Sequence, residues 1–135
     1  MKKFSFLYIF VFLDGLSVAS GSLFGFFFPK TLSDIFGANF QNTDLIWFKF
    51  VLLPGFAINV LLMYFAITRN RSGILLSNLL RVVTTIGFFI MWRDAAVIRS
   101  LLNLMIIHHI VVVITTFTLF FKKETASEPS EFEDI

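Results

Sequence analysis

Residues 10–19, FVFLDGLSVA, place one carboxylate, that of Asp14, inside an otherwise apolar run. The run belongs to a longer apolar segment from about Phe4 to Phe28, and a membrane-spanning helix needs about 20 mainly apolar residues. A charged residue at the centre of such a helix costs about 2.5–3.5 kcal/mol on insertion scales and usually faces a partner. The fold therefore has to bring another polar segment to Asp14.

The composition of the 135-residue chain argues against a water-soluble domain. It is 57% hydrophobic, with 20 Phe, and 15% charged, whereas soluble domains are about 45–50% apolar. A small domain has too much surface for its volume to hide that many apolar side chains. The absence of Cys excludes disulfides and thiolate metal sites, and the formal net charge of +2 gives no indication of a nucleic-acid partner. We therefore expect the lipid bilayer to surround the chain.

Three further apolar segments are long enough to span a membrane. They run from about Leu45 to Ile67, from Gly73 to Trp92 and from Ser100 to Phe121. The connections TRNRS (68–72) and RDAAVIR (93–99) are short, which makes consecutive helices antiparallel neighbours. Residues 29–44, PKTLSDIFGANFQNTD, are rich in turn formers, and Pro29 stands where a helix would stop. We predict an all-α, polytopic membrane protein, a four-transmembrane-helix antiparallel bundle over residues 1–121.

The charges outside the apolar segments predict how the bundle lies in the membrane. Lys and Arg mark the cytoplasmic side, and six of them fall on the face shared by both termini and the second connection: Lys2, Lys3, Arg69, Arg71, Lys122 and Lys123. Both termini are therefore predicted to be cytoplasmic, in a plasma (inner) membrane. Residues 122–135, KKETASEPSEFEDI, are predicted to be a disordered acidic tail. Alternatively, residues 1–19 are a secretory signal peptide cleaved after Ala19, which leaves three helices in the same orientation.

Polar residues of three predicted helices come to one depth. From the cytoplasmic helix ends, a rise of 1.5 Å per residue places Asp14 at about 15 Å, Arg81 at about 14 Å and Asn59 at about 12 Å. We predict that Asp14 is the counter-ion of Arg81, with Asn59 and Asn78 as further hydrogen-bonding groups. This cluster either fixes the register of the helices or forms a pocket for a ligand head group, protons or ions.

The helical periodicity of about 100° per residue assigns faces to the first and third segments. On the first, Asp14, Ser17, Gly21 and Gly25 share a face, and GSLFG (21–25) is a pattern of small residues that permits close helix approach. On the third, a polar arc stands opposite an apolar side that suits lipid. The arc contains Ser77, Asn78, Arg81, Thr84 and Thr85, and the apolar side contains Leu75, Leu79, Val82, Ile86 and Ile90.

His108 and His109 attract attention as metal or haem ligands, but adjacent helical residues point about 100° apart, so the two cannot serve one site. The chain contains no other His and no Cys. We therefore predict no metal and no cofactor. One histidine is expected to form a hydrogen bond within the bundle and the other to pack or to meet a polar pathway. Both are candidate titrating groups, since an unperturbed His pKa is about 6.5.

The small residues of DGLSVASGSLFG (14–25), the following FP (28–29) and LSDIFG (32–37), and the basic turn RNRSG (69–73) leading to Arg81 resemble small four-helix bacterial membrane proteins of the DoxX-like and related uncharacterised families. The likeness extends over most of the four-helix region and excludes the acidic tail. It implies a four-helix bundle and, for DoxX-like members, an accessory role beside a membrane redox system.

The sequence contains no GxGxxG, P-loop, HExxH or GxSxG motif, so the short catalytic motifs do not indicate an enzyme. The first functional hypothesis is a non-catalytic subunit or assembly module that packs against itself, as a homo-oligomer, or against a larger membrane partner. The alternative is an oligomeric module that binds or transports a small molecule, a lipid or an ion through Asp14, Asn59, Asn78 and Arg81.

Overall fold

The computed structural model describes residues 5–38, 40, 42–92 and 99–122, and within them it contains α-helices and no strand. The helices are α1 (Phe6–Phe27), α2 (Pro29–Ile35), α3 (Asn42–Ile67), α4 (Arg71–Trp92) and α5 (Arg99–Phe121). Four of them, all except α2, are long and apolar enough to cross a membrane. The prediction of an all-α bundle of four membrane helices is therefore confirmed, and the chain is an integral, multi-pass membrane protein.

Some predictions fall outside this part of the chain. The acidic tail after Lys122, residues 93–98 of the third connection and the first four residues lie outside the described residues. The boundaries of the four long helices agree with the apolar segments to within a few residues, except that α3 begins at Asn42, inside the stretch predicted to be a turn-rich connection.

The short helix α2 lies within residues 29–44, the connection that the sequence marks as rich in turn formers. The first long helix does stop here: the N–H of Phe28 still donates to the carbonyl of Phe24 at 2.8 Å, but the φ of −123° and ψ of 57° at Phe28 are not helical. Pro29 then begins α2, since a proline at the first helical position has its φ preset and needs no N–H partner. Gly37, with φ of 65°, ends α2 in the left-handed conformation that glycine adopts readily.

The four long helices form a closed ring in which each contacts two neighbours. α1 packs on α3, α3 on α4, α4 on α5, and α5 on α1, and the α1–α3 and α4–α5 pairs have the most extensive contacts. One end of the ring holds the start of α1, the α3–α4 turn and the end of α5, and we call it the termini end. The opposite end holds α2, and we call it the α2 end.

The termini end is closed by apolar packing. Its core is a buried cluster of Leu7, Val11, Leu62, Ala66 and Ile74, surrounded by partly buried aromatic side chains. In addition, the Arg71 guanidinium donates to the carbonyl of Phe120 at 2.7 Å and lies over the Phe120 ring, which fastens the start of α4 to the end of α5.

The packed face of α1 differs from the predicted one. Asp14 and Gly25 face the interior, but Ser17 and Gly21 are exposed, and the small residues buried against the bundle are Gly15, Ala19, Ser22 and Gly25. A Cβ added at Gly15 would lie 3.0 Å from the backbone carbonyl oxygen of Asn59, whereas one added at Gly21 would meet nothing within 4 Å. Small residues occur on both faces of α1, and the position of α3 selects one of them.

The polar arc of α4 is turned inward in part. Asn78 and Thr85 are buried and Arg81 is partly buried, but Thr84 is exposed. The Thr84 hydroxyl donates to the carbonyl of Leu80 at 2.9 Å, so it needs no partner from another helix. On the apolar side, Leu79, Ile86 and Ile90 are exposed, whereas Leu75 and Val82 are half-buried.

Candidate functional site

The Asp14 carboxylate lies inside the bundle and has a partner on each oxygen. Its Oδ2 is 2.6 Å from Nη2 of Arg81 on α4, and its Oδ1 is 3.0 Å from Nε2 of His108 on α5. The side chains of Asp14 and Arg81 are 7% and 12% exposed. The pair predicted from helix depth is thus in contact, and a histidine shares the carboxylate with the arginine.

A fourth side chain brings α3 into the same contact set. The side-chain oxygen Oδ1 of Asn59 accepts a hydrogen bond from Nη2 of Arg81 at 3.3 Å. The side-chain Nδ2 of Asn59 donates to the backbone carbonyl of Gly55 at 2.7 Å. We call Asp14, Asn59, Arg81 and His108 the polar cluster. Each of the four long helices contributes one member, so the cluster links the whole ring.

Backbone approach explains why the cluster forms at this level. Gly15 follows Asp14 directly, and its missing side chain lets the α3 backbone at Asn59 come close to α1. On α4, the Thr85 hydroxyl donates to the carbonyl of Arg81 at 2.7 Å and is satisfied within its own helix. Polar residues that flank the cluster therefore do not compete for its donors and acceptors.

Asn78 lies beside the cluster without a hydrogen bond to it. Its amide donates instead to the carbonyl of Val113 at 3.3 Å, which ties α4 to α5. Asn78 and Thr116 line a small cavity next to Asp14 and Arg81, with a volume of about 10 Å³. A site for one water requires about 10–15 Å³, so a ligand larger than water does not fit there.

The two histidines have different surroundings, as expected from their 100° offset on one helix. The side chain of His108 is 37% exposed, although its Nε2 touches Asp14. His109 points toward α4, where its ring meets Phe88 edge-on at 5.4 Å between centroids, and its Nδ1 donates to the carbonyl of Met105 at 2.8 Å. The histidine rings are 5.7 Å apart between centroids.

His108 is a member of the cluster that was not predicted, although its depth in the membrane is close to that of Asp14. By the rise of 1.5 Å per residue, His108 is about one turn farther than Asp14 from the helix ends that meet at the termini end. Helix tilt and side-chain length close a gap of that size. Depth matching with a tolerance of one turn would therefore have included it.

The polar side chains of this interior find their partners in one another and in backbone carbonyls. Among the described residues, no buried side-chain nitrogen or oxygen lacks a hydrogen-bond partner, and no group of three or more His, Cys, Asp or Glu could hold a metal ion. Chemically, the cluster can hold four helices in one register. Its member at the bundle surface, His108, uses only Nε2 in the contact with Asp14.

No family model, no curated protein and no solved structure matches this chain. The resemblance to DoxX-like proteins stays a prediction, and the function has to be argued from the site.

Proposed function

We propose that the protein is a non-catalytic membrane subunit, an assembly module whose helices are held in register by the polar cluster. The observation that carries this proposal is the Asp14 carboxylate, whose two oxygens contact Arg81 and His108 beside a cavity of about 10 Å³. A binding site needs space for its ligand. A cluster that fixes helix register needs only that its members satisfy one another's charges and hydrogen bonds.

The energetics of buried charges agree with a structural role. Removing one member of a buried pair leaves an uncompensated charge and typically costs about 3–5 kcal/mol, whereas replacing the whole pair with apolar groups is often neutral. An ion pair at this depth therefore adds little net stability, but it strongly disfavours any packing that separates Asp14 from Arg81. An assembly module requires such a single, well-defined arrangement.

His108 and α1 indicate where the module meets its partner. The side chain of His108 is 37% exposed within a membrane span, and its bond to Asp14 uses only one of its two ring nitrogens. Hydrocarbon offers the other nitrogen no hydrogen bond. Ser17 and Gly21 on α1 are exposed and small, which suits close approach of another helix. We propose that a second copy of this chain, or a larger membrane protein, covers this surface.

The proposal includes the orientation, with both termini cytoplasmic in a plasma (inner) membrane. Because the chain contains no Cys, single cysteines can be labelled without a background. Ser72→Cys probes the termini end and Lys30→Cys the α2 end, and both positions are exposed. A membrane-impermeant maleimide should label Lys30→Cys on intact cells and Ser72→Cys only after permeabilisation. The reverse pattern would contradict the orientation.

The assembly itself is tested by native mass spectrometry of the protein extracted in mild detergent. We expect a multimer or a complex with a larger membrane protein, and we expect His108→Leu to weaken it without unfolding the bundle. Thr118→Val is the matched control, because Thr118 is also exposed on α5 and its hydroxyl is satisfied by the carbonyl of Ile114 at 2.8 Å. A monomer with no partner in gentle extraction would overturn the assembly role.

A second candidate function is proton binding or transfer by an oligomer. The observation that favours it is the contact between Asp14 and His108, since a surface histidine gives a buried carboxylate a route for protons. Purified protein in vesicles with a pH-sensitive dye inside would report proton flux. Flux that His108→Gln abolishes, in a protein that still folds and assembles, would favour this function over a purely structural module.

A further inference from the structure

Two of the cavities in the described part of the chain differ in size and in lining. The larger, of about 410 Å³, lies at the α2 end between α2, α3, α4 and α5, and we call it the α2-end cavity. Its described lining is apolar except for Asp44. The smaller, of about 10 Å³, is the one beside Asp14 and Arg81, and we call it the cluster cavity. Asn78 and Thr116 also line the cluster cavity, so its walls can recognise a polar occupant.

The cluster cavity lies between the polar cluster and the apolar core of the termini end. Val11, Leu62 and Ile74 belong to that core and form its apolar walls. Its polar residues Asn78 and Thr116 are only 3% and 4% exposed. A polar group at such a position costs free energy unless it finds a hydrogen-bond partner inside the bundle. The partners of these two side chains are therefore informative.

The Thr116 hydroxyl differs from those of four other threonines. Thr68, Thr84, Thr85 and Thr118 each donate to the backbone carbonyl four residues earlier. Within the described residues, the Thr116 hydroxyl has neither this hydrogen bond nor another. Because no side-chain oxygen that protein atoms fully enclose lacks a partner in this part of the chain, the Thr116 hydroxyl is not enclosed. It borders the space of the cavity that Thr116 lines.

Asn78 presents an acceptor to the same space. Its Nδ2 donates to the carbonyl of Val113 at 3.3 Å, whereas its Oδ1 accepts no hydrogen bond from any described residue. A side-chain amide oxygen can accept two hydrogen bonds. Asn78 lies on α4 and Thr116 on α5, and both helices line the cavity. Two neighbouring helices thus each bring one polar atom without a protein partner to one small space.

The charged pair supplies the other polar groups of the wall. Both contacts of Arg81 within the polar cluster use Nη2, which carries two of the five N–H groups of a guanidinium. The N–H groups on Nε and Nη1 are further donors. The occupant therefore has to accept hydrogen bonds from Arg81 and donate to Asn78. An ion is disfavoured, because a cation meets the charge of Arg81 and an anion meets that of Asp14.

We propose that the cluster cavity is a binding site for one structural water molecule, which joins Asn78 and Thr116 to the Asp14–Arg81 pair. The water accepts from Arg81 and from the Thr116 hydroxyl and donates to Oδ1 of Asn78, and buried waters typically make about three hydrogen bonds. A water site requires about 10–15 Å³, which this cavity just provides. The site goes beyond the assembly role and does not depend on it, because its described lining belongs to a single chain.

The water bridge explains how Asn78 belongs with the charged pair. Asn78 makes no direct hydrogen bond to the polar cluster, and its amide is fixed on α5 through Val113. With the water in place, Asn78 connects this α4–α5 contact to Arg81. Thr116 becomes a second α5 residue, besides His108, that is tied to the pair. The water thus extends the polar cluster toward the termini end.

The test counts long-lived water molecules in the folded protein, purified in detergent, by oxygen-17 magnetic relaxation dispersion. This method follows the water oxygen and is insensitive to proton exchange of hydroxyl groups. Thr116→Val removes the hydroxyl and nearly keeps the shape, and we expect it to hold one long-lived water fewer per chain than the unmodified protein. Thr118→Val is the matched control on α5, because the Thr118 hydroxyl donates to the carbonyl of Ile114. An equal count in Thr116→Val and the unmodified protein would overturn the proposal.

Thermal unfolding of the same variants gives an independent readout. With a water bound, Thr116→Val removes one of its hydrogen bonds and should lower the melting temperature relative to Thr118→Val. In a dry cavity, the same change removes a hydroxyl that has no partner and should raise the melting temperature. Thr116→Ser keeps the hydroxyl and should retain the water. An unchanged or raised melting temperature in Thr116→Val contradicts the water site, as does the loss of the long-lived water in Thr116→Ser.

Discussion

The polar cluster and the α2-end cavity lie in the same bundle, and helices α3, α4 and α5 line both, yet their packing is opposite. Beside the cluster, Asp14 and Arg81 border a cavity of only about 10 Å³, whose other walls are apolar and polar side chains of the same bundle. At the α2 end, apolar side chains of the same helices leave about 410 Å³. The difference shows what closes a membrane bundle. Lipid tails are as apolar as leucine, so helices in a bilayer associate through close packing, small residues and interhelical hydrogen bonds. The termini end has the close packing and the cluster has the hydrogen bonds, whereas the α2 end is packed less closely.

The largest effect is expected where the cluster loses one member. Asp14→Leu leaves the Arg81 charge uncompensated and should lower the free energy of unfolding by about 3–5 kcal/mol. The double variant Asp14→Leu with Arg81→Met removes both charges and should recover most of that loss. Thermal or denaturant unfolding in detergent measures both. A double variant as unstable as the single one would show that the pair is more than a matched set of charges.

The next effect distinguishes the closed end from the open one. Ile74 is 1% exposed in the core of the termini end, and Ile74→Ala should cost about 2–5 kcal/mol, because a truncated core side chain leaves a cavity. Met105→Ala at the wall of the α2-end cavity removes a side chain that already borders open space, so it should cost clearly less. Equal losses in a denaturant titration would contradict the difference in packing.

The parts of this contrast that depend on one helix could be predicted from the sequence, and the parts that depend on how two or more helices pack could not. The lengths of the apolar segments alone predict the four spans, and the positions of Asp14 and Arg81 along their segments alone place the two residues at one depth. The packed face of α1 could not be predicted, because small residues occur on both of its faces and only the position of α3 selects Gly15. The α2-end cavity could not be predicted from a local sequence pattern, because it results from the distances between the four helices that line it.

Close approach at the level of the cluster gives a third, smaller effect. Gly15→Leu forces a side chain against the Asn59 carbonyl and Met63, and overpacking of this kind typically costs about 1–3 kcal/mol. Gly21→Leu on the same helix is the control, because a side chain there meets nothing within 4 Å. The Gly15 variant should unfold at a lower temperature than the Gly21 variant. The same melting temperature for both would place α3 elsewhere on α1.

The smallest effect is expected at the α2 end, where a hydrogen bond from Trp92 connects α4 to α5. Trp92→Phe keeps the ring but removes the Nε1–H that donates to Asn103, and a typical hydrogen bond contributes about 0.5–1.5 kcal/mol. Tryptophan fluorescence cannot serve as the probe here, so circular dichroism during heating is the measurement. A loss as large as that of Asp14→Leu would mean that the α2 end is closed as firmly as the cluster.

The separation of the cluster members along the chain has a consequence for biosynthesis. Asp14 lies 94 residues before His108, and Arg81 also comes much later than Asp14. At about 5–20 residues per second, a ribosome needs roughly 5–20 s to add 94 residues. During that time α1 carries a carboxylate whose partners do not yet exist, and a chain that stops early keeps it permanently. The free-energy cost of placing Asp14 in a membrane helix therefore stays uncompensated until α4 and α5 have been made.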